Sequence, residues 1–139
     1  MIILDTNVVS ELMKINPSIK VIKWVASYSP QNLFTTTITQ AEILYGLAIL
    51  PLGKRRNDLE ESAQKMFEVE FKNRVLAFDT KAAIIFSEIA AKRRQLGKPI
   101  SQADAQIAAI AKSYGASIAT RNVSDFEDCN ILIINPWSE

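Results

Sequence analysis

Short runs of apolar residues alternate along this chain with longer stretches in which apolar and polar residues recur at helical spacing. The apolar runs predict five strands, at residues 1–4, 33–36, 75–78, 117–120 and 131–134. The longer stretches predict six helices, at residues 6–14, 18–28, 39–50, 55–71, 80–96 and 102–114. Strands that are apolar throughout belong in a sheet buried on both faces. The alternation therefore predicts an α/β fold with a central parallel sheet flanked by helices.

Four acidic residues lie at or near the predicted corners between strands and helices. Asp5 follows the first apolar run, and Asp125 lies just beyond the run 117–120. Glu42 and Asp104 fall in the first turns of two predicted helices. Right-handed crossovers place such corners at one edge of a parallel sheet, where ligands bind outside the carboxyl ends of the strands. The fold can therefore gather these acids into a cation site made only of oxygen ligands.

The same acids also have a structural interpretation as helix caps. Thr39–Glu42 matches the capping box S/T-x-x-E, and Ser101–Asp104 is a near match with Asp in place of Glu. Asp5 can likewise be an N-cap for the helix after it. Asp79 follows the run 75–78 and precedes a helix, and we interpret it as an N-cap. Spacing alone does not separate Asp79 from the other acids.

The composition narrows the chemistry that such a site can perform. The chain has 139 residues, enough for one domain with a core, and it has no histidine and one cysteine. This excludes Ser-His and Cys-His catalysis and the common zinc sites. A bound cation must therefore have oxygen ligands, which suit magnesium or manganese. The net charge of +1 excludes the strongly basic footprint of a sequence-specific DNA-binding protein.

Three features favour a cytoplasmic location. The single cysteine, Cys129, excludes an internal disulfide bond and fits a reducing compartment. No apolar run approaches the roughly 20 residues that span a bilayer. The N-terminus has neither the basic region nor the cleavage site of a signal peptide.

Four blocks of sequence surround the acidic positions. They are Ile3–Asn7, then Ile38–Gly46, then Ile100–Asp104 with Ile107–Ala111, and finally Ala119–Asn122 with Asp125-Phe126 and Asn135-Pro136-Trp137. Taken together and in this order, the blocks resemble the motifs of PIN-domain ribonucleases of the VapC toxin type, in the FitB or plasmid-stability StbB branch. The resemblance covers essentially the whole chain.

This resemblance implies a single PIN domain over residues 1–139, with a PIN-like three-layer fold and a magnesium-dependent endoribonuclease site in which Mn²⁺ can substitute. The acidic motif of the family falls on Asp5, Glu42 and Asp104. The fourth position falls on either Asn122 or Asp125. The family also implies a homodimer that a cognate VapB-like antitoxin holds inactive, with the C-terminal segment of the antitoxin over the acidic groove.

Roles for the site residues follow from the resemblance. We expect Asp5 and Asp104 to hold the principal magnesium ion, while Glu42 and Asp125 act through water or a second ion. Four polar residues match positions that line the site and position the substrate, namely Thr6, Asn7, Thr120 and Asn122.

Two basic clusters have two interpretations each. The first consists of Arg93, Arg94 and Lys98, near the loop that leads to Asp104. These side chains could contact RNA phosphates, or they could form a solvated helix end that complements the helix dipole. The second cluster, residues 54–56, leaves the same choice.

Two other functions compete with the ribonuclease. One is a phosphatase with an aspartyl nucleophile at Asp5, which commonly uses Asp-x-Asp with the second Asp as acid and base. Here the second position is Asn7, whose amide cannot transfer that proton. The other is a non-catalytic module that uses the groove only to bind nucleic acid or a partner protein. The near-complete set of acids argues against this module.

Overall fold

A computed structural model describes residues 1–139 and contains a five-stranded parallel sheet. The strands are β1 (Ile2–Leu4), β2 (Leu33–Thr36), β3 (Val75–Leu76), β4 (Ser117–Ala119) and β5 (Ile133–Ile134). Their order across the sheet is β3-β2-β1-β4-β5, and every neighbouring pair is parallel. The predicted fold class is confirmed. Strand β2 has the predicted bounds, and the other strands are shorter than predicted.

Six α-helices connect the strands. They are α1 (Thr6–Leu12), α2 (Ile19–Ala26), α3 (Thr37–Ala48), α4 (Lys54–Lys65), α5 (Thr80–Gln95) and α6 (Gln102–Ser113). The predicted helix over residues 55–71 is divided, because α4 ends at Lys65 and a π-helical turn, Met66–Glu70, follows it. None of the helices has the length and apolar character needed to cross a membrane.

The alternating side chains of the strands divide the core into two clusters, one on each face of the sheet. Ile2 and Leu4 of β1 pack into a cluster with residues of α1, α2, α3 and α4. Ile3, which lies between them, packs into a second cluster with residues of α5 and α6. Both faces of β1 are therefore covered, which explains why its sequence is apolar at consecutive positions.

The strand order reverses between β1 and β4, and this reversal positions the site. Leu4 pairs with Ala119, so Asp5 and Thr120 leave the sheet side by side. The backbone N–H of Asp5 donates to the carbonyl oxygen of Ala119 at 2.9 Å. Such a switch point opens a crevice at the carboxyl ends of the strands.

The structure corrects the capping prediction for α3 and confirms it for two other helices. Thr36 is the N-cap of α3, and its Oγ1 accepts from the N–H of Thr39 at 3.1 Å. The predicted capping box at Thr39–Glu42 is wrong, because Thr36 ends β2 with the extended backbone that an N-cap requires. Glu42 thus lies in the second turn. Ser101 and Asp79 are the N-caps of α6 and α5, as predicted.

Candidate active site

Asp5 is the buried centre of the acidic site, with 5% of its surface exposed. It is the N-cap of α1, and its Oδ1 accepts from the N–H of Thr6 at 2.8 Å. Its Oδ2 accepts from Thr120 Oγ1 at 2.8 Å and from Asn7 Nδ2 at 3.3 Å. Asp5 therefore caps a helix and also presents a fixed carboxylate at the switch point.

Burial raises the pKa of Asp5 to about 6, against an ordinary value of 3.8. The hydrogen bonds from Thr120 and Thr6 act in the opposite direction, and the charges of Asp104 and Glu42 raise the pKa further. A carboxyl whose ionisation is this costly, with other acids beside it, gains from a cation.

Asn7 and Thr120 connect the start of α1 to the segment after β4. Asn7 Nδ2 donates to Thr120 Oγ1 at 3.1 Å, and Asn7 Oδ1 accepts from the backbone N–H of Arg121 at 3.1 Å. Thr120 Oγ1 also accepts from the backbone N–H of Asn122 at 3.1 Å. Both side chains contact Asp5, and each joins the two segments through several hydrogen bonds.

Glu42 reaches the site from α3 through a chain of hydroxyl groups. Thr6 Oγ1 donates to Glu42 Oε1 at 2.7 Å, and the hydroxyl of the fully buried Thr39 lies 3.0 Å from Thr6 Oγ1. Because Thr6 donates to Glu42, its oxygen is free to accept from Thr39. This role of Thr39 was not predicted from the sequence, although the threonines clustered between β2 and Glu42 indicated a group of hydroxyls there.

Asp104 approaches from the first turn of α6 and is half-buried. Burial raises its pKa, the Ser101 hydroxyl lowers it, and the charges of Asp125 and Glu42 raise it again. The negative charges of Asp5, Glu42 and Asp104 thus act on one another across the crevice. Asp5 follows β1, Glu42 lies on the helix after β2, and Asp104 lies on α6, the helix that leads into β4.

Asp125 and Asn122 lie on the 3₁₀ turn after β4, which runs from Val123 to Phe126. Both residues are exposed. The charge of Asp125 acts directly on Asp104, whereas Asn122 is tied to the site through its backbone N–H. Of the two residues, only Asp125 adds a negative charge to the acidic group.

The acids suit a hydrated cation better than an enclosed one. No group of three or more acidic or cysteine side chains lies close enough to enclose a metal ion. Magnesium usually keeps several waters and binds through one or two carboxylates together with substrate phosphates. The site acids repel one another and do not surround a single metal position, so they fit the binding of a hydrated Mg²⁺ ion.

Asp79 lies apart from this group. Its Oδ1 accepts from the N–H of Ala82 at 2.9 Å, which is the capping contact predicted for it. It follows β3, the edge strand, which lies two strand positions from β1. Two strand spacings amount to roughly 10 Å. Sheet order thus separates Asp79 from Asp5, which sequence spacing could not do.

The structure contradicts both interpretations of the first basic cluster at Arg93. Its side chain is buried, with 5% of its surface exposed, and Nε donates to the carbonyl oxygen of Lys98 at 2.7 Å. Nη1 donates to the carbonyl oxygens of Asp125 and Glu127, each at 2.9 Å. The guanidinium is neither solvated nor free to contact RNA, because the segment that carries Asp125 is built around it.

The other two residues of this cluster remain at the surface. Lys98 pairs with Glu127 Oε2 at 3.6 Å and with Asp128 Oδ2 at 3.4 Å. Arg94 is exposed and makes no ion pair. Of the three predicted RNA contacts, Arg94 alone keeps its charge free.

Comparison with known proteins identifies the family of this chain. The PIN domain family matches residues 2–129. Plasmid stability protein StbB from Pseudomonas syringae pv. tomato is 42% identical over 99% of both chains, and VapC ribonuclease Y4jK from Sinorhizobium fredii is 40% identical over 99% of this chain and 98% of its own. A chain in the crystal structure of FitAcB from Neisseria gonorrhoeae has 36% identity and a TM-score of 0.92, with 100% of both chains covered. This chain therefore belongs to the PIN domain family, in the branch that contains StbB and FitB.

Proposed function

We propose that the protein is a magnesium-dependent endoribonuclease and the toxin of a toxin–antitoxin module. The observation that carries the proposal is the buried Asp5 carboxylate, whose pKa of about 6 reflects burial beside Glu42 and Asp104. An acid held this way at the switch point of a parallel sheet suits cation-assisted chemistry on an anionic substrate. The names of its relatives, a VapC ribonuclease and the toxin FitB, support the same activity.

The four acids would have different roles in binding the ion. Asp5 and Asp104 would hold the principal Mg²⁺ or Mn²⁺, and Glu42 and Asp125 would act through water or a second ion. When bound, the ion supplies activation of water and neutralisation of the charge that develops on the phosphate.

The neutral residues keep the acids in working positions. Thr120 and Asn7 donate to Asp5 Oδ2 and so favour its ionised form, which is the form that binds a cation. Thr6 orients Glu42 in the same way. Because Asn7 directs its N–H groups towards Asp5, it has no proton-transfer role, and the phosphatase alternative finds no support here.

An antitoxin partner completes the proposal. We propose that the protein forms a homodimer and that a cognate VapB-like antitoxin holds it inactive by covering the acidic groove. The solved FitAB and FitAcB chains, which align over 99% and 100% of this chain, support an antitoxin partner. A groove of about 280 Å³, lined by Thr6, Glu42 and Lys14 among others, runs from the acidic site along α1 and α3.

The test is cleavage of RNA by the purified protein, free of antitoxin. We expect it to cut RNA from a mixture of tRNA, rRNA and mRNA in Mg²⁺ or Mn²⁺. EDTA and Asp5→Asn should each abolish cutting, while Asp79→Asn, which alters an acid outside the site, should not. Circular dichroism would verify that both variants fold.

Two results would count against the proposal. Full-rate cleavage by Asp5→Asn would contradict the site. A wild-type protein that binds RNA without cutting it in Mg²⁺ would favour the non-catalytic module.

A further inference from the structure

Arg121 is an exposed cation beside the acidic site whose hydrogen-bond donors are unused. It directly follows Thr120, the residue that donates to Asp5. Its guanidinium makes no ion pair and no hydrogen bond within the protein, whereas those of Arg56, Arg74 and Arg93 donate to carbonyl or carboxylate oxygens. Arg121 therefore has all its donors available to a ligand.

The ring of Trp137 holds this guanidinium in place. The central carbon of Arg121 lies 5.0 Å from the centre of the ring, which is within the range of a cation–π contact. Trp137 itself is half-buried and packs against the first core cluster. An aromatic ring orients a guanidinium and leaves its N–H groups free. A hydrogen bond or an ion pair would occupy those N–H groups.

Asn7 fixes the backbone of Arg121 relative to the acids. One end of its amide donates to Asp5 Oδ2 at 3.3 Å, and the other end accepts from the N–H of Arg121 at 3.1 Å. A single side chain thus spans the distance between the buried carboxylate and the arginine. Movement of Arg121 away from the site would break this bridge.

The nearby acid Glu11 does not neutralise Arg121. Glu11 is buried, and its two oxygens accept from Lys14 Nζ and from the N–H of Ser18, each at 2.9 Å. These two contacts lower the pKa of Glu11 most, and Arg121 adds a smaller effect through its charge. Glu11 is thus occupied by Lys14 and the start of α2, and it forms no ion pair with Arg121.

We propose that Arg121, positioned by Trp137, binds a backbone phosphate of the RNA strand beside the phosphate that is cut. The inference rests on the proposed ribonuclease function and assigns part of its substrate binding. RNA approaches a group of carboxylates that repels its phosphates, so a cation at the rim offsets this repulsion. Arginine suits the role because its planar fork matches two phosphate oxygens.

The binding test uses a labelled single-stranded RNA, measured by fluorescence anisotropy in EDTA over a range of salt concentrations. Arg121→Gln should weaken binding about ten-fold at low salt and should reduce the slope of log K against log salt by about 0.7. Lys72→Gln removes the same charge from an exposed residue that precedes β3, an edge strand three positions from β4 in the sheet. It should leave both quantities unchanged.

Two further variants test the role of Trp137. Arg121→Lys should keep the salt slope but lose affinity, because an ammonium group lacks the planar fork. Trp137→Leu should weaken RNA binding in the same direction as Arg121→Gln, and Trp137→Phe should restore part of the loss. A purely structural Trp137 would instead change the midpoint of denaturation and leave the salt slope unaltered.

Cleavage kinetics separate this inference from the ribonuclease proposal. In Mg²⁺, Arg121→Gln should raise KM more than it lowers kcat. Loss of binding in Arg121→Gln together with no cleavage by the wild type would overturn the ribonuclease proposal alone. Equal binding by Arg121→Gln and Lys72→Gln, or no RNA binding by the wild type, would overturn the role of Arg121.

Discussion

Thr120 donates a hydrogen bond of 2.8 Å to Oδ2 of Asp5, although 115 positions separate the two residues in the sequence. The bond exists because β1 and β4 are neighbours in the sheet, with Leu4 paired to Ala119. The residue after each strand therefore meets the residue after the other at the switch point. The central contact of the site is a direct product of strand order and register.

Removing the Thr120 hydroxyl should destabilise the fold through this contact. Thr120→Val keeps the shape of the side chain but removes the hydroxyl that donates to Asp5 Oδ2 and accepts from the N–H of Asn122. We expect the free energy of unfolding to fall by about 2 kcal/mol, measured by urea denaturation at pH 7.

Thr120→Ser is the matched control, since it keeps the hydroxyl and loses only a methyl group. Its loss should be about 1 kcal/mol or less. If serine and valine cost the same, packing of the methyl group would account for the effect, and the hydrogen bond to Asp5 would not.

The raised pKa of Asp5 should make the stability of the protein depend on pH. The folded state binds the Asp5 proton more tightly than the unfolded state, because its pKa is about 6 in the fold and 3.8 as the reference. The stability that the protonated form contributes is complete below pH 4 and is lost as the pH rises through 6. The difference of about two between the folded and the reference pKa corresponds to a change in unfolding free energy of about 3 kcal/mol at most.

Asp5→Asn isolates this effect, because asparagine is also a good N-cap and does not titrate. The difference in unfolding free energy between this variant and the wild type should shift in favour of the variant as the pH rises from 4 to 7. Urea denaturation in EDTA at several pH values measures it. A difference that stays constant over this range would contradict the raised pKa.

The sequence predicts those parts of the fold that depend on local pattern. The apolar runs at β1 and β2 and the caps at Asp79 and Ser101 are visible locally, because each depends on neighbouring residues. The placement of Asp5 at a corner followed from the same pattern. These features need only the alternation of strands and helices and the preferences of helix ends.

The remaining features depend on tertiary contacts that no local pattern encodes. The hydroxyl chain from Thr39 through Thr6 to Glu42 requires α1 and α3 to be adjacent. The burial of Arg93 requires a loop more than 30 positions away to wrap around it. From the sequence, an arginine at the end of a helix is expected to be exposed to solvent. Arg93 is buried because the carbonyl groups of that loop accept its hydrogen bonds.

Magnesium should stabilise the protein through the site acids. At pH 7 the charges of Asp5, Glu42 and Asp104 repel one another, and a bound cation relieves this repulsion. An ion at ten times its Kd adds about 1.4 kcal/mol, which raises the midpoint of thermal unfolding by about 5 °C. Differential scanning fluorimetry with and without Mg²⁺ measures the shift.

Variants at two acids show whether this shift comes from the site. Asp5→Asn should lose most of the response to Mg²⁺, and Asp79→Asn should keep it, since Asp79 only caps α5. An equal response in both variants would place the stabilising ion elsewhere on the surface.

Replacing Arg93 should damage both the fold and the segment that carries Asp125. Arg93→Met has similar length but leaves the carbonyl oxygens of Lys98, Asp125 and Glu127 without their donor. We expect a loss of about 3 kcal/mol in unfolding free energy, because the hydrogen bonds of a buried side chain to three carbonyl groups are lost together. Faster amide hydrogen exchange over residues 123–129 should accompany it, since the guanidinium holds that turn against α5.

The neighbouring arginine offers a matched control for this prediction. Arg94→Met removes the same charge from an exposed side chain that makes no ion pair, so its stability should change by less than about 0.5 kcal/mol. Arg93→Lys keeps the charge but cannot reach all three carbonyl groups, so it should fall between the two. If Arg93→Met and Arg94→Met were equally stable, the contacts of Arg93 would not hold the Asp125 segment. RNA cleavage by Arg93→Met should then also equal that of the wild type, whereas the structure predicts a lower rate, because Asp125 loses its fixed place beside Asp104.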